Sequence, residues 1–209
     1  MASVESFQNK VIGFDPSLRN TAYVYFEKGE MKSSGIFKTK KRKEDGDGDK
    51  TNEKKNTSSV ELCQRMRDLN YVYKNAIRTL IMFNPDLIVM EGYSFGSRTN
   101  LTKQGEITGI IGLACIQFIE RRKDLKIVMI PPTSVKKYIT GKGNAKKELI
   151  LKEVYRIFDF DTDDNNIADA FVIAKIGSDY MYYITNNKFP EGTKKYQEEV
   201  FKNLNFFKV

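Results

Sequence analysis

Short runs of apolar residues separated by polar turns occupy the amino-terminal part of the chain. Residues 11–16, 20–27 and 31–37 are rich in β-branched and aromatic side chains, and Gly29 with Glu30 marks the turn between the second run and the third. Runs of this length bounded by turn residues are typical of β-strands joined as hairpins. We therefore expect three successive antiparallel strands at the start of a sheet.

A long helical pattern and two continuous apolar runs come next. Apolar residues recur at helical spacing from Leu62 to Ile81, and Pro85 ends that helix. The run over 86–91 predicts a strand buried on both faces, because continuous apolar sequence is typical of a central parallel strand. A similar run over 126–131 predicts the fifth strand.

Residues 38–59 interrupt the pattern. They contain no apolar side chain, and a basic stretch is followed by an acidic, glycine-containing stretch and then by a polar one. Such a composition buries too little surface to order the backbone, so we expect a mobile loop. Ser58 or Ser59 is the expected cap of the long helix that follows.

The pattern after the fourth strand predicts a helix that is unusually rich in glycine. Residues 101–121 have helical spacing but include Gly105, Gly109 and Gly112. Glycine costs about 1 kcal/mol relative to alanine inside a helix. These glycines therefore indicate close approach of another backbone, from the sheet, a partner subunit or DNA.

The segment after the fifth strand is rich in lysine. A short helix capped by Thr133 or Ser134 is followed by a Gly-Lys-Gly loop at 141–143 and by a helix that runs to about Phe158. A helix amino terminus preceded by glycine and lysine favours phosphate binding. The candidate phosphate contacts are Lys136, Lys142, Lys146 and Lys147.

The remaining sequence predicts one more long helix and a carboxyl-terminal extension. A helix begins near residue 167 and carries Asp169 in its early turns, an aromatic-rich connector spans 180–190, and an amphipathic helix spans 193–204. The expected fold class is α/β, with a five-stranded mixed sheet flanked by helices. We expect the 209 residues to form one domain with an extension from about residue 180.

The composition of the chain limits the kinds of partner, catalysis and metal site that it can have. The net charge of +8 favours an anionic partner, with nucleic acid first and a merely lysine-rich soluble protein as the alternative. The chain has no histidine and two cysteines, which excludes Ser/His and Cys/His catalysis and histidine-based zinc sites. A metal site must then use oxygen ligands, which favours Mg²⁺ or Mn²⁺. We find no signal peptide or membrane span, and expect an intracellular protein.

Acidic residues stand at three informative places. Asp15 and Glu91 end apolar strands, and Asp169 lies on a helix that can pack across the same end of the sheet. Each has an ordinary explanation as a turn residue, a solvated strand end or a helix-terminus charge. Ligands of α/β sheets bind at the carboxyl ends of strands, and converging carboxylates repel one another unless cations neutralise them. Together they predict a site for two divalent ions that hydrolyses phosphodiesters.

Four segments in the order 12–16, 88–91, 132–147 and 168–170 resemble the RuvC family of Holliday junction resolvases, within the RNase H-like nuclease superfamily. The resemblance implies a homodimeric endonuclease that cuts branched DNA, associates with the nucleoid and uses two Mg²⁺, with Mn²⁺ as a substitute. It implies that the three carboxylates ligate the metal ions. It also implies that Lys136 and Lys147 contact phosphates, and that Lys147 is a catalytic group. The loop after Glu91 would supply DNA contacts from Tyr93 or Phe95, by stacking, and from Arg98.

Two departures from the family leave alternatives open. The family has a second acid one turn before its final aspartate, where this chain has Asn166. Asn166 could ligate a metal through its carbonyl, Asp163 or Asp164 could reach in, or the site could use three carboxylates. Asp-Pro-Ser replaces the usual Asp-Pro-Gly at the first motif, a variant of phage-encoded relatives. Alternative functions are a nuclease for flaps, branched DNA or structured RNA, and a non-catalytic junction-binding module.

Overall fold

A mixed sheet forms the centre of the computed structural model, which describes residues 9–40, 54–92, 101–122, 124–204 and 206–207. Within these residues the sheet has six strands in the order β3-β2-β1-β4-β5-β6. Their bounds are β1 Lys10–Asp15, β2 Asn20–Glu27, β3 Glu30–Lys38, β4 Leu87–Glu91, β5 Lys126–Ile130 and β6 Phe206–Phe207.

Strand directions confirm the predicted sheet. The first three strands pair antiparallel, while β1 pairs with β4 and β4 with β5 in parallel. The predicted central strand is β4, whose first four residues are buried. The short β6, antiparallel to β5, was not predicted, because a two-residue strand carries no periodic signal.

Helices cover both faces of the sheet, as expected for an α/β fold. One core cluster lies between the sheet and α1 and α2, and a second lies between the sheet and α3 to α6. No helix in the described ranges is long and apolar enough to cross a membrane. The bounds are α1 Lys54–Phe83, α2 Leu101–Ile119, α3 Pro132–Thr140, α4 Lys147–Phe158, α5 Asn165–Asn186 and α6 Lys195–Lys202.

Three predicted element boundaries were wrong. Helix α1 begins at Lys54 rather than at a serine cap, so the last residues of the predicted 38–59 loop are helical, while 41–53 lie outside the described residues. Helix α5 continues through the first part of the predicted connector, to Asn186. Helix α3 starts after Pro131 without a side-chain cap, because Pro132 supplies a favourable first helical residue.

Helix α5 lies unusually close to the sheet. A Cβ added at Gly13 on β1 would lie 2.5 Å from the backbone nitrogen of Ala174, and one at Gly177 would lie 2.5 Å from Cγ2 of Val89. Side chains at these two glycines would push the helix off the sheet. The amino-terminal turns of α5 are thereby set over the carboxyl end of β1.

The predicted role of the α2 glycines needs correction. Among the residues that the structure describes, a Cβ added at Gly109 or Gly112 would meet nothing within 4 Å, so neither glycine allows close approach of the sheet. Close approach of a partner subunit or of DNA stays a prediction for these two positions.

Candidate active site

Two carboxylates lie side by side at the carboxyl ends of neighbouring parallel strands. Phe14 pairs with Met90 in the β1–β4 register, so Asp15 and Glu91 follow at the same edge of the sheet. Asp15 is only 6% exposed. Because both strands stop here, their last side chains face the region outside the sheet, where α/β folds bind ligands.

The third carboxylate reaches this edge from α5. Asp169 lies in the second turn of that helix and is 9% exposed. The helix starts at a well-defined cap, since Asp164 Oδ1 accepts hydrogen bonds from the backbone N–H groups of Asn166 (2.9 Å) and Ile167 (3.4 Å). This cap fixes the first turn of α5 and, through it, the place of Asp169.

The three carboxylates perturb one another. Burial and then the charges of Glu91 and Asp169 raise the pKa of Asp15 well above its usual value. Burial and the charge of Asp169 raise the pKa of Glu91 to about 7. Burial also raises the pKa of Asp169. Each group therefore resists ionisation in the absence of a cation.

One lysine directly opposes this negative charge. The Nζ of Lys147, at the first residue of α4, donates a hydrogen bond to Asp169 Oδ2 at 3.4 Å, and its side chain remains 60% exposed. Burial alone would lower the pKa of Lys147, but Asp169 and Asp15 raise it on balance. Lys136 on α3 acts at longer range, since its charge lowers the pKa of Glu91 and of Asp169.

The other sequence-predicted residues divide into three groups. Lys142 and Lys146 are exposed on the connection between α3 and α4. Tyr93, Phe95 and Arg98 lie outside the described residues. Asn166 donates from its side-chain amide to Asp164 Oδ1 at 3.0 Å.

Asp163 and Asp164 occupy different surroundings. Asp163 is exposed, whereas Asp164 is half-buried and its charge contributes to raising the pKa of Asp15. Of these two alternatives for a fourth acid, Asp164 is the one whose charge acts on Asp15.

The donor chemistry fits a hard divalent cation, because carboxylate oxygens surrounded by excess negative charge are the ligands that Mg²⁺ prefers. Within the described ranges, however, no group of three or more aspartate, glutamate, histidine or cysteine side chains is close enough to hold one ion between them.

Sequence reasoning missed an ion pair that fixes the turn after Asp15. Arg19 Nη1 donates to Asp68 Oδ2 on α1 at 2.7 Å and to the carbonyl oxygen of Lys40 at 2.8 Å. Asp68 is 5% exposed. One sign of this pair was present in the sequence. Asp68 lies in the apolar stripe of α1 beside Leu69, where a buried acid needs a partner of opposite charge.

The chain is similar to crossover junction endodeoxyribonucleases. The model of the family "Crossover junction endodeoxyribonuclease RuvC" matches residues 51–176, which is more than half of the chain. The chain belongs to the RuvC family. A RuvC of Caldicellulosiruptor saccharolyticus is 30% identical over 169 residues, covering 79% of this chain and 89% of the relative. A RuvC of Dictyoglomus turgidum is 29% identical over 167 residues, covering 78% and 92%.

Solved RuvC structures share the fold. The structure of Thermus thermophilus RuvC matches with a TM-score of 0.57 at 18% identity, covering 87% of this chain and 99% of that one. The T. thermophilus RuvC in complex with Holliday junction substrate matches with a TM-score of 0.59 at 17% identity, covering 87% and 98%. The RNase H-like architecture predicted from the sequence is therefore confirmed.

Removing the Glu91 charge should stabilise the metal-free protein at neutral pH. The folded-state pKa of about 7 lies above the ordinary value of 4.5, so ionisation between these values costs the folded state stability. In the presence of a chelator we expect Glu91→Gln to raise the Tm at pH 8, by about 2–4 °C per kcal/mol gained. The gain should shrink as the pH falls from 7 towards 4.5.

Thermal unfolding followed by circular dichroism at pH 5, 6, 7 and 8 measures this dependence. Glu120→Gln, at an exposed position on the protein surface, is the matched control and should show no gain. A Glu91→Gln variant that is less stable than the parent at pH 8, or that gains equally at every pH, would contradict the electrostatic account.

Proposed function

We propose that the chain is a divalent-metal-dependent endonuclease that resolves four-way DNA junctions by phosphodiester hydrolysis. The observation that carries the proposal is the group of the buried Asp15 and Asp169 with the partly buried Glu91, whose pKa values are all raised, at one edge of a RuvC-family fold. Buried like charges in this number need a cation to ionise at neutral pH.

In this proposal the three carboxylates would share two Mg²⁺ ions, with Mn²⁺ as a substitute, since no three acidic side chains of the described residues are close enough to hold one ion between them. Two bound ions would supply an activated water and stabilise the leaving oxygen. Asp164 and Asn166 both stay candidates for a fourth ligand. The charge of Asp164 acts on Asp15, and the Asn166 amide donates to Asp164 Oδ1, which leaves the carbonyl oxygen of Asn166 for a cation.

Lysines on α3, on α4 and between them supply the phosphate contacts. Lys147 extends from the exposed start of α4 to within 3.4 Å of Asp169, so its ammonium group is placed to contact a phosphate held beside the carboxylates. Lys136 lies near enough to the site for its charge to lower the pKa of Glu91 and of Asp169. Lys142 and Lys146 are exposed between them and can follow the DNA backbone away from the cut.

The family match favours DNA junctions over the alternative substrates. The T. thermophilus relative whose fold this chain shares was solved with a Holliday junction substrate. Nothing in the described residues favours flap DNA or structured RNA, so these remain substrates for a matched comparison. Phosphate contacts by lysine report charge and do not distinguish among these substrates.

An exposed apolar face supports a homodimer. On α2, Leu113 is 53% exposed and Ile116 is 51% exposed, and both lie on the helix face that carries Gly109 and Gly112. Ile81 of α1 is 51% exposed and borders a shallow depression beside Gln117 of α2. A second copy of the chain is the occupant we propose, since a two-fold dimer presents two equivalent sites to the two symmetric cuts of a four-way junction.

Neutralising Asp15 should separate binding from cleavage. We expect Asp15→Asn to lower the cleavage rate by about 10³-fold, because several kcal/mol of transition-state stabilisation depend on the charged ligands. Junction binding should persist, since the lysines that contact phosphates are unchanged. Single-turnover cleavage of a labelled four-way junction and gel-shift titration without metal measure the two effects.

Asp163→Asn is the matched control for that experiment, because Asp163 is exposed at the edge of the same region. It should leave both the cleavage rate and the affinity unchanged. Cleavage by Asp15→Asn at the parental rate would overturn the assignment of the site. Equal cleavage of flap, hybrid and junction substrates by the parent protein would overturn the proposal that four-way junctions are the specific substrate.

A charge on the α2 face should dissociate the dimer. Leu113→Asp adds a carboxylate to an exposed position, so folding should be retained while the mass in solution falls from two chains to one. Leu149→Asp, at an exposed leucine of α4 on the opposite layer, is the control and should remain dimeric. Sedimentation velocity measures both, and a monomeric parent protein would contradict the proposal.

A further inference from the structure

The carboxyl-terminal helix α6 contacts α3 through several different side chains. The Gln197 side-chain amide donates to the carbonyl oxygen of Tyr138 at 3.1 Å, and Lys137 Nζ donates to Glu199 Oε2 at 2.6 Å. The rings of Tyr138 and Phe201 lie 5.8 Å apart. Polar and apolar contacts together therefore hold the two helices in one relative position.

One residue of α6 also covers the end of α3. Gly141 is the left-handed C-cap of α3, with φ of 77°, and its N–H donates to the carbonyl oxygen of Lys137 at 2.8 Å. A Cβ added at Gly141 would lie 3.5 Å from Cε1 of Tyr196 and 3.6 Å from Cδ1. The Tyr196 ring thus lies beside Gly141, at van der Waals distance from the position that a side chain there would occupy, where the lysine-rich connection 141–147 begins.

Helix α3 is held from the sheet side as well. The Tyr138 hydroxyl donates a hydrogen bond to Asp179 Oδ2 of α5, and Lys175 Nζ donates to Asp179 Oδ1 at 2.5 Å. Tyr138 is thereby bound through its hydroxyl to α5 and through its carbonyl to α6. Without α6, the outer side of α3 would lose the contacts with Gln197, Glu199 and Phe201.

The position of α3 matters because both ends of the basic surface depend on it. Lys136 lies on α3 and its charge acts on Glu91 and Asp169. The connection that starts at Gly141 leads to Lys147, whose ammonium group lies 3.4 Å from Asp169. A shift of α3 or of the connection would move these positive charges relative to the carboxylates.

We propose that α6 is a positioning element for the phosphate-binding surface, with Tyr196 as its principal positioning residue. It holds α3 and the connection 141–147 in the conformation that places Lys136, Lys142, Lys146 and Lys147 for the DNA backbone. The inference rests on the proposed function and extends it to a part of the chain beyond the family-model match, which ends at residue 176. Preordering these lysines removes an entropic cost that binding would otherwise carry.

Removal of the Tyr196 ring tests the inference first in the free protein. We expect Tyr196→Ala to speed amide hydrogen exchange over residues 140–147, measured by mass spectrometry, because the cap at Gly141 loses its cover. Tyr196→Phe should behave like the parent, since the side-chain atoms of Tyr196 that lie beside Gly141 are ring carbons. Tyr155→Ala, which removes a tyrosine 56% exposed on α4, is the control and should not change exchange there.

Junction affinity provides the second readout. Below the unfolding temperature we expect Tyr196→Ala to weaken junction binding by about 10-fold, while Tyr196→Phe and Tyr155→Ala retain parental affinity. The dependence of affinity on salt should keep its slope, because no lysine has been removed and the number of neutralised phosphates is unchanged. A variant that only lowers global stability would not give this combination at a temperature where it is fully folded.

A second variant tests the bridge between the helices without removing a ring. Gln197 Oε1 accepts from the Lys194 backbone N–H at 2.9 Å, while its amide donates to Tyr138. Gln197→Glu keeps the acceptor and loses the donor. We expect faster exchange over 140–147 and weaker junction binding from this change as well.

The outcomes separate the two proposals. Parental exchange and parental affinity in both Tyr196→Ala and Gln197→Glu would overturn the positioning role and leave the nuclease proposal intact. A parent protein that neither binds nor cuts four-way junctions would overturn the nuclease proposal, and with it the role of α6 in placing lysines for DNA.

Discussion

Buried negative charge at one edge of the sheet is the constraint on which this structure depends. Asp15, Glu91 and Asp169 are each largely removed from water, and burial is the leading cause of the raised pKa of every one of them. An isolated buried carboxylate is costly, and several together are more so. Lys147 offsets part of the cost through its ion pair with Asp169. The remaining excess is the physical reason to expect cations at this edge and an anionic substrate beside them.

The surrounding fold keeps the carboxylates together despite their repulsion. Parallel pairing of β1 and β4 brings two of them to adjacent strand ends. The close approach of α5 to the sheet, at Gly13 of β1 and at Gly177 of the helix itself, brings the third. The ion pair of Arg19 with the buried Asp68 ties the turn after Asp15 to α1. Backbone geometry and packing therefore hold these like charges close together, and the repulsion between the side chains cannot easily move the closely packed backbone.

Much of this arrangement could be predicted from the sequence because its signals are local. Apolar runs that end in an acid identified β1 and β4. The continuous apolar run of β4 predicted a central parallel strand, and the short runs separated by turns predicted the antiparallel strands at the start of the sheet. Side-chain partners across the fold could not be predicted. The place of Asp68 in the apolar stripe of α1 indicates that it needs a partner but not that the partner is Arg19, and the position of Tyr196 beside Gly141 has no periodic signal. The start of α1 at Lys54 also escaped prediction. So did the extension of α5 to Asn186, where Tyr180 and Met181 pack in the core and outweigh weak local preferences.

The central claim is that this carboxylate edge, once neutralised by divalent cations, cuts branched DNA. The most direct measurement is cleavage of a labelled four-way junction and of a linear duplex of the same sequence, each with Mg²⁺ and with a chelator. The account predicts paired symmetric cuts in the junction that require Mg²⁺, with little cleavage of the duplex. Cleavage that persists in the chelator, or an intact junction across millimolar Mg²⁺ and Mn²⁺, would contradict it.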